Sequence, residues 1–274
     1  MRVQAGATLP APSRRLALLT ARFVAAWVAA FMATAAAPAA ADSGLTGLAG
    51  GAEPALDAAA AAPVFKLTLG VYGSSDHNPA RDINLRGTQG AQTAWLGIYR
   101  DRSGFQQWRS GYELRGDGDT LRSVLSLQSA SGGAAVASVS AELGGATYAI
   151  VGWGRTNLRN YVNLNYDPND AITFGIGSRA WAGSELSLFQ VRDDRLHTGQ
   201  QVTHLVLRQH LASGQRLSLD LFYKRGLTGD GNFVRAASCS LGWDVANVFV
   251  RFVHDPHAGF ATPTQDRLSF GIRF

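Results

Sequence analysis

Asp266-Arg267-Leu268-Ser269-Phe270-Gly271-Ile272-Arg273-Phe274 alternates without a break. Leu268, Phe270, Ile272 and Phe274 fall on one parity, and Arg267, Ser269, Gly271 and Arg273 on the other. Successive side chains of a β-strand point to opposite faces, so this stretch predicts a strand with one apolar and one polar face. A last residue that is aromatic is unusual for a soluble protein, whose termini fray and are polar as a rule. A closing strand held between lipid and water accounts for both features.

The same pattern recurs upstream. From Val64 onward, runs of about ten residues with period-two alternation are separated by Gly, Asp, Asn, Pro and Ser. The pattern predicts fourteen strands near 64–73, 93–101, 104–115, 119–129, 134–143, 146–154, 160–166, 171–180, 184–193, 201–211, 215–225, 233–243, 246–254 and 266–274. The Ala/Ser-rich 134–143 and the short 160–166 are the weakest, so twelve strands is an alternative. Trp95, Tyr99, Tyr112, Tyr148, Trp153, Tyr166, Trp181, Tyr223 and Trp243 lie near predicted turns, where interfacial girdles place aromatics. A soluble sandwich or lipocalin-like barrel would share the apolar faces. Mid-strand Arg, Lys and Asp on the opposite faces and the final Phe argue for the membrane form.

The terminal strand resembles the C-terminal strand of bacterial (Gram-negative) outer-membrane β-barrels. The resemblance implies that Phe270, Ile272 and Phe274 belong to the signal read by the barrel-assembly machinery, and that the surrounding partners are outer-membrane lipid and lipopolysaccharide. The fold class expected is therefore all-β: an antiparallel, transmembrane, up-and-down barrel over residues 64–274. Counting back from the last strand places Arg102-Ser103, Ala130–Gly133, Arg155–Arg159, Trp181–Gly183, Ala212–Gly214 and Asp244-Val245 on the periplasmic side. Ser74–Gln92, Asp194–Gln200 and Asp255–Gln265 then fall outside, in keeping with short periplasmic turns and longer external loops.

The N-terminal region supplies the compartment. Arg2, Arg14, Arg15 and Arg22 precede the apolar run Phe23–Met32, Ala39-Ala40-Ala41 follows, and the first acid is Asp42. That layout predicts a secretory signal over 1–41, cleaved after Ala41; residues 42–63 read as a flexible Ala/Gly-rich leader. The chain carries a formal charge of +5, four positive charges lie in 1–41, and the remaining 233 residues carry +1. The basic balance thus belongs to the signal and gives no reason to expect nucleic acid. Cys239 is the only cysteine, which excludes an intramolecular disulfide and multi-cysteine metal sites; it reads as a small apolar filler.

The polar faces predict the lumen lining: Lys66, Arg109, Glu113, Arg115, Arg122, Glu142, Arg179, Arg208, Arg216, Asp220, Lys224, Arg251, Arg267 and Arg273, with His204 and His210 as additions. Cations dominate this set, so a wet lumen would favour small anionic solutes, with Arg109, Arg122, Arg179, Arg208 and Arg251 setting the field. The competing expectation is that the charges pair and plug the interior. The short turn at Ala212–Gly214 fixes a register of Leu211 with Gln215, which sets His210 opposite Arg216, Arg208 opposite Ser218, and Arg208 diagonal to Asp220.

A lipid-modifying acyl hydrolase or transferase is the alternative function. It needs a nucleophile touching a base that a third group orients. His204, Ser218 and Asp220 are near neighbours but point inward, while His197, His254, His257, Ser187 and Thr198 lie toward the external rim. None forms a recognised motif, so no catalytic residue, metal ligand or cofactor is assigned. A closed structural or adhesive barrel is the third reading. Asp167-Pro168-Asn169-Asp170 reads as a hairpin turn, and its Asn-rich approach does not match a calcium loop. The loop Ser74–Gln92 is expected to fold into the mouth or meet lipopolysaccharide, and Arg235 faces outward near a rim where anionic lipid head groups lie.

Overall fold

The structure, a computed structural model, describes residues 62–274. The expected signal and nearly all of the leader lie outside the described residues. Fourteen antiparallel strands close on themselves: β1 Val64–Ser74, β2 Ala80–Gln89, β3 Gln92–Asp101, β4 Gln106–Asp117, β5 Leu121–Ala130, β6 Ala134–Gly144, β7 Thr147–Thr156, β8 Ala171–Ser178, β9 Ser184–Asp193, β10 Gln201–His210, β11 Arg216–Leu227, β12 Phe233–Val245, β13 Val248–Asp255 and β14 Gln265–Arg273. Every strand pairs with its neighbours in sequence, and β1 pairs with β14. The barrel is of the up-and-down type with no free edge.

The closing seam is built by the alternating C-terminal stretch 266–274. Leu69 opposes Phe270, Leu67 opposes Ile272 and Lys66 opposes Arg273. Phe65 and Phe274 exchange backbone hydrogen bonds of 2.8 and 2.9 Å, and their rings stack at 5.9 Å.

Alternation sorts the side chains as a membrane demands. Val71, Leu96, Trp108, Leu127, Ile176, Leu188, Phe270 and Phe274 are exposed on the outside. Arg109, Glu113, Glu142, His204, Lys224 and Asp255 are buried inside. A soluble barrel inverts this arrangement, because exposing so large an apolar belt to water is unfavourable. Among the described residues no helix is long and apolar enough to cross a membrane, which says nothing of a barrel that would cross with its strands.

Glycines on the inner face make room for aromatic rings lying flat against the wall. A Cβ at Gly271 would collide with the Phe249 ring, and one at Gly111 with the Trp95 ring.

Two expected elements differ, and they compensate. Residues 80–89, read as part of a long external loop, form β2. Residues 160–166, read as a strand, belong to a fourteen-residue connection between β7 and β8. The total stays at fourteen, but β3 to β7 run opposite to expectation. The connections at Arg102-Ser103, Ala130–Gly133 and Arg155–Arg159 therefore belong with the longer loops, not with the tight turns. At one barrel end lie both termini of the barrel and the short turns 90–91, 118–120, 145–146, 179–183, 211–215 and 246–247. At the other lie 75–79, 102–105, 131–133, 157–170, 194–200, 228–232 and 256–264. The inward and outward parity of each strand does not depend on its direction, so the lumen lining is unaffected by the inversion.

Candidate functional site: a lumen crossed by a loop

The 157–170 loop enters the barrel instead of standing over it. At its base, Thr156 donates to Asp170 through both its backbone N–H (3.1 Å) and its hydroxyl (2.6 Å), and Arg195 pairs with Asp170 at 2.8 Å. Burial alone would raise the Asp170 pKa, but the bonds from Thr156 and Arg195 outweigh it and hold it below the ordinary carboxylate range. Arg155 clamps Asp194 beside it with two bonds of 2.7 and 2.6 Å.

Further along, the loop backbone is gripped from the wall. Gln107 of β4 donates to the Asn160 carbonyl and accepts from the Val162 N–H, both at 2.8 Å. Arg109 reaches the Val162 carbonyl at 3.4 Å, and Arg267 of β14 reaches the Leu164 carbonyl at 3.1 Å. Tyr161 bonds Gln128 of β5, and Tyr166 bonds Gln265 of β14 at 2.6 Å. Asp167 meets His204 Nε2 on β10 at 3.0 Å. The loop thus touches β4, β5, β10 and β14, and so crosses the lumen. Tyr166 and Leu158 adopt left-handed backbone angles (φ 65° and 63°), a cost these contacts must sustain.

Beside the loop lies a cavity of about 400 Å³ lined from nearly every strand. Its charged lining comprises Lys66, Arg86, Arg109, Arg208, Arg251 and Arg267 against Asp82, Glu113, Asp167 and Asp220, with His204 in addition. Of the expected lining residues, Lys66, Arg109, Glu113, Arg208, Asp220, Arg251 and Arg267 reach this cavity. Arg115, Arg122, Glu142, Arg179, Arg216, Lys224 and Arg273 form ion pairs elsewhere on the inner wall or its rim.

The sequence reading missed most of the acids that face these cations. Asp82 lies 3.3 Å from Arg109, and Arg86 binds Glu113 with two bonds of 2.9 and 3.1 Å. Glu185 pairs with Arg208 at 3.1 Å, Asp244 with Arg216 and Arg273, and Asp255 with Lys224. The cationic excess is therefore smaller than the sequence suggested. Asp82 and Arg86 were hidden with β2. Glu185 was legible, since it shares parity with the inward Ser187 and Phe189.

The register at the 211–215 turn is as expected, with Arg208 opposite Ser218 and His210 opposite Arg216. The expected diagonal pair of Arg208 with Asp220 does not form. Glu185 is directly opposite Arg208 on the other neighbouring strand and takes it, while Asp220 meets His204 Nδ1 at 3.0 Å. The His204 ring stacks between Phe189 (4.7 Å) and Phe222 (5.3 Å). Both its nitrogens face carboxylates, which leaves neither available to take a proton from Ser218. His254, by contrast, is on the outer face and bonds Asp266 at 2.7 Å. Asp167-Pro168-Asn169-Asp170 is the return of the long loop to the wall, not a hairpin between strands.

No protein-family model and no curated protein matches this sequence. Among solved structures, the Acinetobacter baumannii outer membrane protein Omp33 superposes with a TM-score of 0.50 at 10% identity, over 77% of this chain and 97% of that one. The fold is that of an outer-membrane β-barrel. Further matches are the NanC porin (TM-score 0.45, 8% identity, 76% and 98% covered) and variants of the Rh. blastica porin (for one, TM-score 0.42, 10% identity, 78% and 99% covered).

Proposed function

We propose that this protein is a passive channel of the bacterial outer membrane, narrowed by the 157–170 loop and favouring small anions. The observation that carries this reading is the cavity that remains beside a loop crossing the lumen, with charged side chains from β1, β2, β4, β10, β11, β13 and β14 facing an uncharged wall from β5 to β9. Fourteen strands enclose more width than side chains alone fill, and the loop takes up part of it. Six cations against four acids in that cavity give the path a positive field, strengthened by the low-dielectric wall. Lys66, Arg208, Arg251 and Arg267 are the selectivity residues in this reading, with Arg109 and Glu113 shaping the constriction and Arg122, Arg179, Arg216, Asp220 and Lys224 bracing the wall.

The short turns and both barrel termini face the periplasm in this reading, and the longer loops face outward. Phe270, Ile272 and Phe274 present the assembly signal on the outer face of β14.

Planar bilayers test the channel. Discrete conductance steps are expected, with a reversal potential in a potassium chloride gradient of the sign that marks chloride as the more permeant ion. Arg251→Gln with Arg267→Gln should move that potential toward zero. Absence of discrete steps at every voltage would overturn the channel, and a cation-selective potential would overturn the anion preference alone.

The closed structural barrel remains as a second reading because the loop is held at both its base and its tip. A silent wild-type protein that conducts once the loop is removed would establish it.

A further inference from the structure

The outer face carries a charged feature that conduction does not use. Arg192, Arg225 and Arg235 are exposed, with side chains on the lipid side of β9, β11 and β12. They lie in one row: Arg192 opposes Gln201 of β10, Gln201 opposes Arg225, and Arg225 opposes Arg235. Strands stand about 4.8 Å apart, so the three guanidinium groups are based along roughly 15 Å of barrel circumference. None forms a salt bridge among the described residues. Arg225 lies against the Gln201 side-chain amide, and Arg235 stacks over Phe233 at 5.4 Å.

Their height is fixed by the rows below. Two residues toward the turn end come Gln190, Thr203, Tyr223 and Ala237, with Gln190 donating to Thr203 at 3.0 Å. Two further on come Leu188, Leu205, Leu221 and Cys239, which begin the apolar belt. Arginine, polar and aromatic, then aliphatic is the sequence met on going from head groups into hydrocarbon. A lipid-facing Arg is strongly unfavourable at the bilayer midplane but nearly free of cost at the interface, so the row belongs at head-group depth. The other outward strand arginines, Arg81, Arg100 and Arg155, also lie at the loop end, and among the described residues the turn end has no outward Arg or Lys. A head group met on one leaflet only fits this asymmetry.

We propose that Arg192, Arg225 and Arg235, with Gln201 between them, form a docking site for the phosphorylated head group of a glycolipid of the external leaflet, of the lipid A type. Guanidinium groups bind phosphate through paired charge-assisted hydrogen bonds. A row of three spans a head group with more than one phosphate, and Tyr223 and the leucines below receive the first part of the acyl chains. The proposal rests on the loop end facing outward, but not on the lumen conducting.

The test reads lipid retention by native mass spectrometry of the full chain folded in detergent micelles. The probes are bis-phosphorylated lipid A, its dephosphorylated form, and inorganic phosphate as competitor. Wild-type protein should retain the phosphorylated lipid and release the dephosphorylated one. The Arg192→Gln, Arg225→Gln, Arg235→Gln triple variant should bind on the order of a hundredfold more weakly, at about tenfold per 1.4 kcal/mol. Replacement of all three by Lys should recover part of the loss. Equal retention by wild type and triple variant, or of the two lipid forms, would overturn the proposal. Release of the lipid by millimolar inorganic phosphate would overturn it in favour of a free-anion site. Heat-dependent gel migration shows whether the triple variant is folded; if it is not, Arg225→Gln alone carries the same comparison, with a loss of about fivefold expected.

Discussion

Asp82 and Arg109 show how a charge inside the wall is sustained. Both are almost wholly buried, at 2% and 4% exposure, and they face each other at 3.3 Å. Asp82 also accepts from Tyr72, and Arg109 extends to the Val162 carbonyl of the crossing loop. Removing one member of such a pair strands the other charge where water cannot fully solvate it, which costs about 3–5 kcal/mol. Asp82→Asn, which keeps an acceptor for Tyr72, is therefore expected to lower unfolding stability by about 3 kcal/mol. The double variant with Arg109→Met should recover most of that loss, because no charge is then left unpaired. Urea unfolding of the four proteins in lipid vesicles measures the cycle. A double variant as unstable as the sum of the singles would show that the two residues act independently.

At the scale of elements, the crossing loop is what separates a wide barrel from a narrow one. Deleting 159–168 and joining the ends with Gly-Ser should raise single-channel conductance severalfold and weaken ion selectivity, since the backbone held by Gln107, Arg109 and Arg267 no longer fills the lumen and the charged wall then lies farther from the ions' path. Unchanged conductance would mean that the narrow point lies elsewhere. The anchor at the loop base also sets a pH window. The folded pKa of Asp170 is depressed, so its stabilisation is fully present above the ordinary carboxylate value of about 3.9 and is lost as pH falls through the lower folded value. A spin label at Asn160 should stay immobile from pH 8 to about 5 and gain mobility only below about 4; release near neutrality would contradict Asp170 as the anchor. This same loop was the least legible part of the sequence. Tyr161, Asn163 and Asn165 alternate with Val162 and Leu164 as a strand would, yet they pack inside the lumen without a strand partner. β2 hid for the converse reason: Arg81 on its outer face and Asp82, Asn84 and Arg86 on its inner face leave only Ile83 and Leu85 to mark an apolar side. Period two reports that a segment has two unlike faces, not which surfaces meet them. The remaining strands, the turn register at 211–215 and the inward parity of the basic residues were legible because each rests on that alternation alone. The ion-pair partners were not, because pairing depends on which strands become neighbours around the circumference.

For the whole molecule, closure depends on one seam, and the last residue contributes to it in two separable ways. Phe274 exchanges two backbone hydrogen bonds with Phe65, which a side-chain substitution leaves in place, and its ring stacks on the Phe65 ring, which a substitution removes. An aromatic pair adds about 0.5–1.5 kcal/mol beyond the area it buries, a small part of the stability of a barrel with fourteen paired seams. Phe274→Ser should therefore refold in detergent with stability within about 1.5 kcal/mol of wild type. If the exposed ring is instead a recognition element for assembly, the same substitution should reduce the folded, heat-resistant fraction in the outer membrane of living cells several-fold. Phe270→Ser, on the same outer face and also facing lipid, provides the comparison. Equal yields of wild type and Phe274→Ser in cells would leave Phe274 with its closure role alone. A large loss in detergent as well as in cells would place its contribution in the physics of the seam, not in recognition by the assembly machinery.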